Sequence, residues 1–447
     1  MKINWLTIKN FRGFRNCEIT FPKNSNIVVF IGINGAGKSA ILDAISILLN
    51  VLVKDICSSK RTSLLSYKEL SEDDINLNSK TYKIDMGFSY TIKKNNIIGT
   101  KAINDDYSIS LCYKFWINGT YRDFISNVKS SISDSESELE LLNLPIFVYY
   151  STNRNVVDNI KNDNSKSMTK YQEPQYLAYE NAFSSHINSF NQFVQWFKQE
   201  EDLENQLQRE NQDFGYRNER LEVIRFAIDT FLNKFEFAKF SSIRIERERT
   251  INYPISLSQT SIVSSLIIDK DGQKFKFSQL SSGEKMMLSL VVDIARRLAI
   301  ANPSLENKLE GEGIVLIDEV DLHLHPQWQR KLLPALTHTF PNIQFIVTTH
   351  SPQVLSHVSR ESVFLLEDNK ISDREIYTEG RDSNSILQDA FHVPELEKEY
   401  EMEIKEIYTL ISNYDIENAT DKLEKLKEKR GEYDREVNRM QSYIDIL

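Results

Sequence analysis

The chain has 447 residues, 40% of them hydrophobic and 26% charged, which is enough apolar material for a sizeable core and excludes global disorder. Its net charge of −10 excludes a uniformly basic nucleic-acid coat but leaves room for a local basic groove. Three scattered cysteines, Cys17, Cys57 and Cys112, offer no CxxC spacing, so a disulfide scaffold and a cysteine zinc site are excluded.

Residues 2–9 alternate in polarity, turn through Asn10-Phe11-Arg12-Gly13-Phe14 and resume as a second strand at Cys17–Phe21. The N-terminus thus reads as a strand and not as a signal peptide. No apolar run approaches the roughly 20 residues needed to cross a bilayer. A soluble, cytoplasmic protein with no membrane partner is expected.

Ile27–Ile31 is a short continuous apolar run, the pattern of a strand buried on both faces. It leads into a glycine-rich loop and a helical pattern at Ile41, Ala44, Ile45, Leu48 and Leu49. Polar linkers at Ser71–Ser79 and Ser130–Glu138 separate strand-like runs at Thr81–Tyr90, Tyr107–Ile117 and Pro145–Tyr150. From about 155 to 241 the composition shifts to Asn, Gln, Glu and Lys. Aromatics at helical spacing (Phe190, Phe193, Phe197) and a second stripe (Leu221, Ile224, Ile228, Phe231) predict a helical insertion turning near Gly215. Without sustained heptads it is not a long coiled coil.

Strands return at Ser242–Ile245 and Ser264–Ile268, with an Asp271-Gly272 hairpin signal. A helix from Met286, a strand at Ile314–Ile317, a helix at Gln327–Thr337 and a strand at Ile343–Thr348 follow. This βαβ alternation predicts an α/β fold with a parallel or mixed sheet. The last fifty residues carry three amphipathic helical stripes that could pack on the rest of the chain or on other copies and a partner; three such helices cannot bury much by themselves, which favours assembly. No repeat of 20–50 residues is evident.

Four motifs carry chemistry. Gly32-Ile33-Asn34-Gly35-Ala36-Gly37-Lys38-Ser39 is a GxxxxGKS phosphate loop between a buried strand and a helix. Backbone N–H groups of Asn34 to Ala40 and the helix N-terminus would face phosphate oxygens. Lys38 would reach the β- and γ-phosphates and Ser39 would ligate Mg²⁺. Ile314-Val315-Leu316-Ile317-Asp318-Glu319 delivers two acids to a strand end. Asp318 is placed for the Mg²⁺ shell and Glu319 to orient and deprotonate a water. Leu280-Ser281-Ser282-Gly283-Glu284 precedes a helix, either as an anion-binding start or as an ordinary serine cap. Val347-Thr348-Thr349-His350-Ser351-Pro352 puts His350 just past a strand, where it could meet a γ-phosphate and the attacking water. His323 and His325 lack metal partners at recognised spacing.

In this order the motifs resemble the ABC-class ATPases: Walker A, signature, Walker B and switch histidine. The opening Ile8–Phe14, the Asp318–Pro326 run and Thr349-His350-Ser351-Pro352 resemble the RecF, SMC and OLD branch. A narrower likeness, carried by Gly32–Lys38, Tyr149–Arg154, Trp196–Asp202 and Gly380–Leu387, is to the PtuA-like ATPases of Septu and retron anti-phage systems. The resemblance implies an ATPase head with mixed sheet core and antiparallel lobe. Its parts would be lobe I with Walker A (1–154), a helical insertion (155–241), lobe II (242–372) and a helical C-terminal assembly region (373–447). It implies ATP and Mg²⁺ as cofactors, with Arg12 also at the nucleotide. Ser281 and Gly283 would face the γ-phosphate of a second protomer in an ATP-sandwiched dimer or higher oligomer. It further implies an HNH nuclease partner (PtuB-like), and DNA or a retron RNA–DNA as a further partner. Two positions depart from the pattern: Ser282 stands where the signature usually has its first glycine, and Asn153 where a Q-loop glutamine is expected.

The alternative is a RecF-like repair ATPase that binds DNA without a nuclease. Self-contained nuclease chemistry is disfavoured, because the residues after His350 hold no clear DxD carboxylate pair at a strand end and no Cys/His set. Lys93-Lys94, Arg244/Arg247/Arg249 and Arg296-Arg297 are candidate basic clusters for nucleic acid, or else solvated faces.

Overall fold

Alternating burial along Lys2–Phe11 makes it a strand, β1, whose inward residues Ile3, Leu6 and Ile8 sit in the core. Arg12 and Gly13 turn the chain into β2 (Phe14–Thr20), antiparallel to β1. β3 (Ile27–Gly32) is buried from its second residue onward and feeds α1 (Lys38–Cys57). β4 (Lys83–Asn96), β5 (Gly99–Cys112) and β6 (Phe115–Ile117) complete an antiparallel sheet of order β2-β1-β4-β5-β6. The computed structural model describes residues 1–57, 71–96, 99–112, 115–117, 120–126, 128–129, 143–152, 174–184, 189–235, 240–251, 260–391 and 398–446. The expected linker at Ser130–Glu138 and Asn153 lie outside them.

β7 (Ile146–Tyr150) precedes the insertion, where α2 (Ser189–Glu210) and α3 (Glu219–Leu232) turn through Gly215 as the sequence predicts. A second antiparallel sheet follows, β8 (Phe240–Ile251), β9 (Thr260–Lys270) and β10 (Gln273–Lys276), in the order β10-β9-β8. Asp271 (φ 51°) and Gly272 (φ 77°) form the two-residue β9–β10 turn. Then come α4 (Ser282–Ala301), β11 (Gly313–Ile317), α5 (Pro326–Thr339), β12 (Ile343–Thr348), the short α6 (Pro352–Leu355), β13 (Val363–Glu367) and β14 (Lys370–Ile371).

The central sheet has the order β14-β13-β3-β12-β11-β7. All its pairs are parallel except β13–β14. β11 and β12 are buried at every residue, so both faces are covered, which explains why they are largely apolar, Gln344 and the terminal Thr348 of β12 apart. Gln344, wholly buried in β12, accepts from the Ile3 N–H (2.7 Å) and donates to the Ile3 carbonyl (3.2 Å), which fastens the N-terminal sheet to the central one.

The insertion packs on α4 and β8; its acids join its two helices, and one of them, Glu201, also bonds β8. Glu200 accepts from Asn218 (2.8 Å) and Arg220 (2.9 Å), Glu201 from the Ile245 N–H (3.0 Å), and Glu204 from the Asn218 N–H (2.6 Å).

By contact the chain divides into two compact units, Met1–Ile386 and Leu387–Leu447. α7 (Ser383–Phe391) runs across that boundary. In the second unit α8 (Lys398–Ser412), α9 (Ile416–Arg430) and α10 (Arg435–Ile446) turn their apolar stripes on each other. Ile404, Ile407, Ile411, Ala419, Leu423, Leu426, Val437 and Met440 form that core. The expectation that these stripes need an outside surface is therefore corrected: three helices suffice to cover them.

Candidate functional site

Three neighbouring strands of the central sheet, β3, β12 and β11, end side by side and point their carboxyl ends the same way. In open α/β sheets that edge is where ligands bind. The phosphate loop follows β3, Asp318 and Glu319 follow β11, and His350 follows β12. The sheet thus brings together four of the residues that the sequence singled out.

In the loop, Gly35 (φ 84°) and Gly37 (φ 99°) adopt left-handed backbone. Gly37 is required twice over, because a Cβ there would lie 2.6 Å from the Phe14 ring. Asn34, Gly35 and Ser39 are exposed, Gly37 and Ala40 partly so, and Ala36 and Lys38 are buried. Lys38 Nζ donates to the carbonyls of Gly32 (2.9 Å) and Ile33 (3.0 Å), which closes the loop on itself. Burial lowers the Lys38 pKa, against the opposing pull of the nearby Asp318, Glu319 and Asp321 carboxylates.

Asp318 is buried, and Thr348 connects it to its neighbour. The Thr348 hydroxyl donates to Asp318 Oδ1 (2.6 Å) and accepts from the Glu319 N–H (2.7 Å). Glu319 stands in left-handed backbone (φ 48°), a conformation that turns it out of the strand direction at the point where the acids are presented. His350 is half-buried; burial lowers its pKa, as does Lys38, while Asp321, Glu319 and Asp318 work to raise it. The loop carrying it is fixed from below. Thr349 donates to Asp321, and Ser351 donates to Gln329 (2.6 Å), which in turn donates to the Leu324 carbonyl (2.8 Å).

Arg12 (φ 48°) lies in the β1–β2 turn, next to the Phe14 that covers Gly37. Its guanidinium is engaged by two carboxylates, Asp43 of α1 (2.6 Å) and Asp74 (2.9 Å). Tyr149 also hydrogen-bonds Asp43, and its pKa is pushed up by burial and by that carboxylate.

The signature segment opens α4. Ser281 caps α4 in a capping box: its hydroxyl and its N–H both donate to Glu284 (2.8 and 2.9 Å). The N-cap is therefore Ser281. Burial acts to raise the Glu284 pKa, but hydrogen bonds from Lys270 and Ser281 hold it below the ordinary carboxylate value. Ser281 and Ser282 are exposed, whereas Gly283 is packed within its own chain, where a Cβ would lie 2.8 Å from the His323 carbonyl. The bonds that Ser281 donates both stay within its own capping box.

The basic clusters need correcting. Arg296 and Arg297 are 2% and 1% exposed and bind Asp293, so they meet neither solvent nor a nucleic-acid backbone. Arg244 pairs with Asp269 and Glu246, and Arg247 with Asp202. The side chains of Lys93, Lys94 and Arg249 lie outside the described ones. His325 accepts from the Gln327 N–H at the start of α5, and among the described residues no His, Cys, Asp and Glu group could hold a metal unaided.

Thr348 and Asp74 were not singled out by sequence. Thr348 is legible afterwards as a hydroxyl ending the strand beside the acid pair, while Asp74 lay in a segment that read as a polar linker.

A family model described as "AAA domain, putative AbiEii toxin, Type IV TA system" matches residues 27–356. The "Retron Vc95 probable ATPase" of Vibrio cholerae serotype O1 biovar El Tor is 28% identical over 452 residues, covering 93% of this chain and 83% of that protein. The "Retron Ec83 probable ATPase" of Escherichia coli is 28% identical over 437 residues, covering 88% of this chain and 76% of that protein. The "Septu protein PtuA" of Bacillus mycoides (strain KBAB4) is 32% identical over 170 residues, 34% of this chain and 23% of that protein. The chain belongs to the family of that model, as an ATPase related to the retron and PtuA proteins.

Proposed function

We propose that this ATPase is the nucleotide-driven subunit of a prokaryotic anti-phage defence complex. It binds and hydrolyses ATP between two copies of itself, and closure of that dimer gates a partner HNH nuclease. The observation that carries the reading is the meeting of Lys38, Asp318, Glu319 and His350 at the ends of β3, β11 and β12, with Ser281 exposed on a separate helix start. The retron and Septu relatives support the defence setting.

Each residue then has a task. The backbone N–H groups of Asn34 to Ala40 hold phosphate oxygens, and Lys38, closed over Gly32 and Ile33, swings to the β- and γ-phosphates. Ser39 and Asp318 supply a hydroxyl and a carboxylate, a hard-oxygen pair that suits Mg²⁺, which takes few protein ligands and fills its shell with phosphate and water. The ion would neutralise charge on the transferred phosphoryl group. Glu319 orients and deprotonates the attacking water, and His350 contacts the γ-phosphate. Ser281 and Gly283 complete the site from the second copy. Arg12 would reach the nucleotide by exchanging Asp43 or Asp74 for phosphate. Closure gates the partner only through its different affinity for open and closed forms.

The RecF-like alternative is weakened by the burial of Arg296-Arg297 and by the internal pairing of Arg244 and Arg247. The test is to purify the chain with the product of its neighbouring reading frame and to measure DNA cleavage with ATP, with ADP and without nucleotide. Cleavage that depends on the nucleotide, and that no longer responds to it in Lys38→Ala, is expected. Cleavage indifferent to both contradicts the gating role.

A further inference from the structure

Tyr150, the last residue of β7, is bonded in two directions. Its backbone carbonyl accepts from the N–H of Asp318 (2.9 Å), the acid proposed for the metal shell. Its hydroxyl donates to Asp293 Oδ2 (2.8 Å), in the middle of α4. α4 is the helix that Ser281 caps. Twelve residues separate Ser281 from Asp293, about 18 Å of rigid helix.

The surroundings of Asp293 make this bond informative. Asp293 is 1% exposed and also accepts from Arg297 Nε (2.8 Å) and Arg296 Nη2 (3.1 Å). Both arginines belong to α4 itself, and Arg297 also donates to the carbonyls of Ala178 (2.6 Å) and Glu180 (3.1 Å), which ties α4 to the 174–184 segment. The Tyr150 hydroxyl carries the bonding of Asp293 out of its own helix, to the end of β7. The cluster holds two guanidiniums against one carboxylate, and Arg296 Nε is buried without a partner. Removing the tyrosine hydroxyl therefore leaves Asp293 charged and satisfied, whereas removing the carboxylate would strand two buried cations.

We propose that Tyr150 is a positioning residue: through its carbonyl and its hydroxyl it links the Asp318 end of one nucleotide site to the helix that offers Ser281 to the other. The two sites of a dimer then turn over cooperatively, because nucleotide at the first shifts the helix that completes the second. This rests on the dimer reading above.

The test is Tyr150→Phe, which keeps the ring and removes the hydroxyl. Tyr179→Phe serves as control, since that equally buried hydroxyl donates to the Pro145 carbonyl (2.7 Å) and not to α4. ATPase rate is measured against ATP concentration, with nucleotide affinity from a non-hydrolysable analogue and mass by sedimentation. The wild type should show a Hill coefficient approaching 2, the ceiling for two sites. Tyr150→Phe should fall toward 1 with kcat about tenfold lower, and analogue affinity within about twofold of wild type. Tyr179→Phe should keep the wild-type coefficient. A wild type that pairs on ATP while Tyr150→Phe cooperates equally, or a wild type without cooperativity, overturns the coupling alone. A wild type that hydrolyses ATP as a monomer overturns the dimer reading and this inference with it.

Discussion

Lys38, His350 and the acids at 318, 319 and 321 behave as one electrostatic unit. Burial costs Lys38 and His350 part of their affinity for a proton, and the three acids restore some of it. Because the His350 pKa lies below its ordinary 6.5 in the folded chain, the unfolded chain binds more protons just below that pH. Stability is therefore lost as pH falls through 6.5 toward the folded value, and is level above it. The imidazole is consequently neutral at pH 7, able to accept from one nitrogen and donate from the other. By NMR titration His350 should titrate below 6.5 in the nucleotide-free protein. In Lys38→Ala, which removes the neighbouring cation, the midpoint should move up; an unmoved midpoint would contradict their proximity.

At the scale of elements, the loops of the site are held by packing as much as by hydrogen bonds. Gly283 on α4 lies under the loop that links the acid pair to α5, with the His323 carbonyl where a methyl would go. Gly283→Ala should cost roughly 1–3 kcal/mol, because backbone rather than a flexible side chain must yield. Thermal unfolding reads this, and a variant as stable as the wild type contradicts the close packing. The strands β3, β11 and β12 were legible because burial on both faces leaves a largely apolar run. The 271–272 turn was legible because Asp-Gly serves a two-residue hairpin. β13 and β14 were not picked out, although Val363–Leu366 is apolar and runs into Asp368 and Asn369, both in left-handed backbone. The place of β13 beside β3, and of β14 beside β13, depends on pairing that a local pattern does not contain. Tyr107–Ile117, read as one run, divides into β5 and β6. The motifs identified the chemistry because GxxxxGKS and a strand-end acid pair are local, whereas Thr348 and Asp74 join the network only through the fold. The Arg381–Ser385 segment also becomes legible only in three dimensions: Asp382 accepts from the N–H groups of Asn384 and Ser385 (both 3.1 Å) and starts α7.

For the molecule as a whole, ATPase motifs and the three-helix core lie in separate compact units. Met402, Tyr414 and Tyr433 are exposed on the second unit, at 65%, 75% and 93%. The proposal that this unit serves assembly agrees with those side chains, although its helical stripes are already covered. Ile407 is wholly buried there, so Ile407→Ala should cost about 2–5 kcal/mol. Hydrogen exchange should show the loss of protection concentrated in α8, α9 and α10. Equal loss along the central sheet would contradict their division into units. No helix of the described residues is long and apolar enough to cross a membrane.

The account turns on ATP held between two copies, with Lys38, Asp318 and Glu319 of one facing Ser281 of the other. Sedimentation velocity of Glu319→Gln with ATP and Mg²⁺ tests this most directly, because the variant keeps the cradle and loses the group that ends the closed state. A nucleotide-dependent doubling of mass, abolished by adding Lys38→Ala, is predicted. A variant that binds ATP and stays monomeric at every nucleotide concentration contradicts the account.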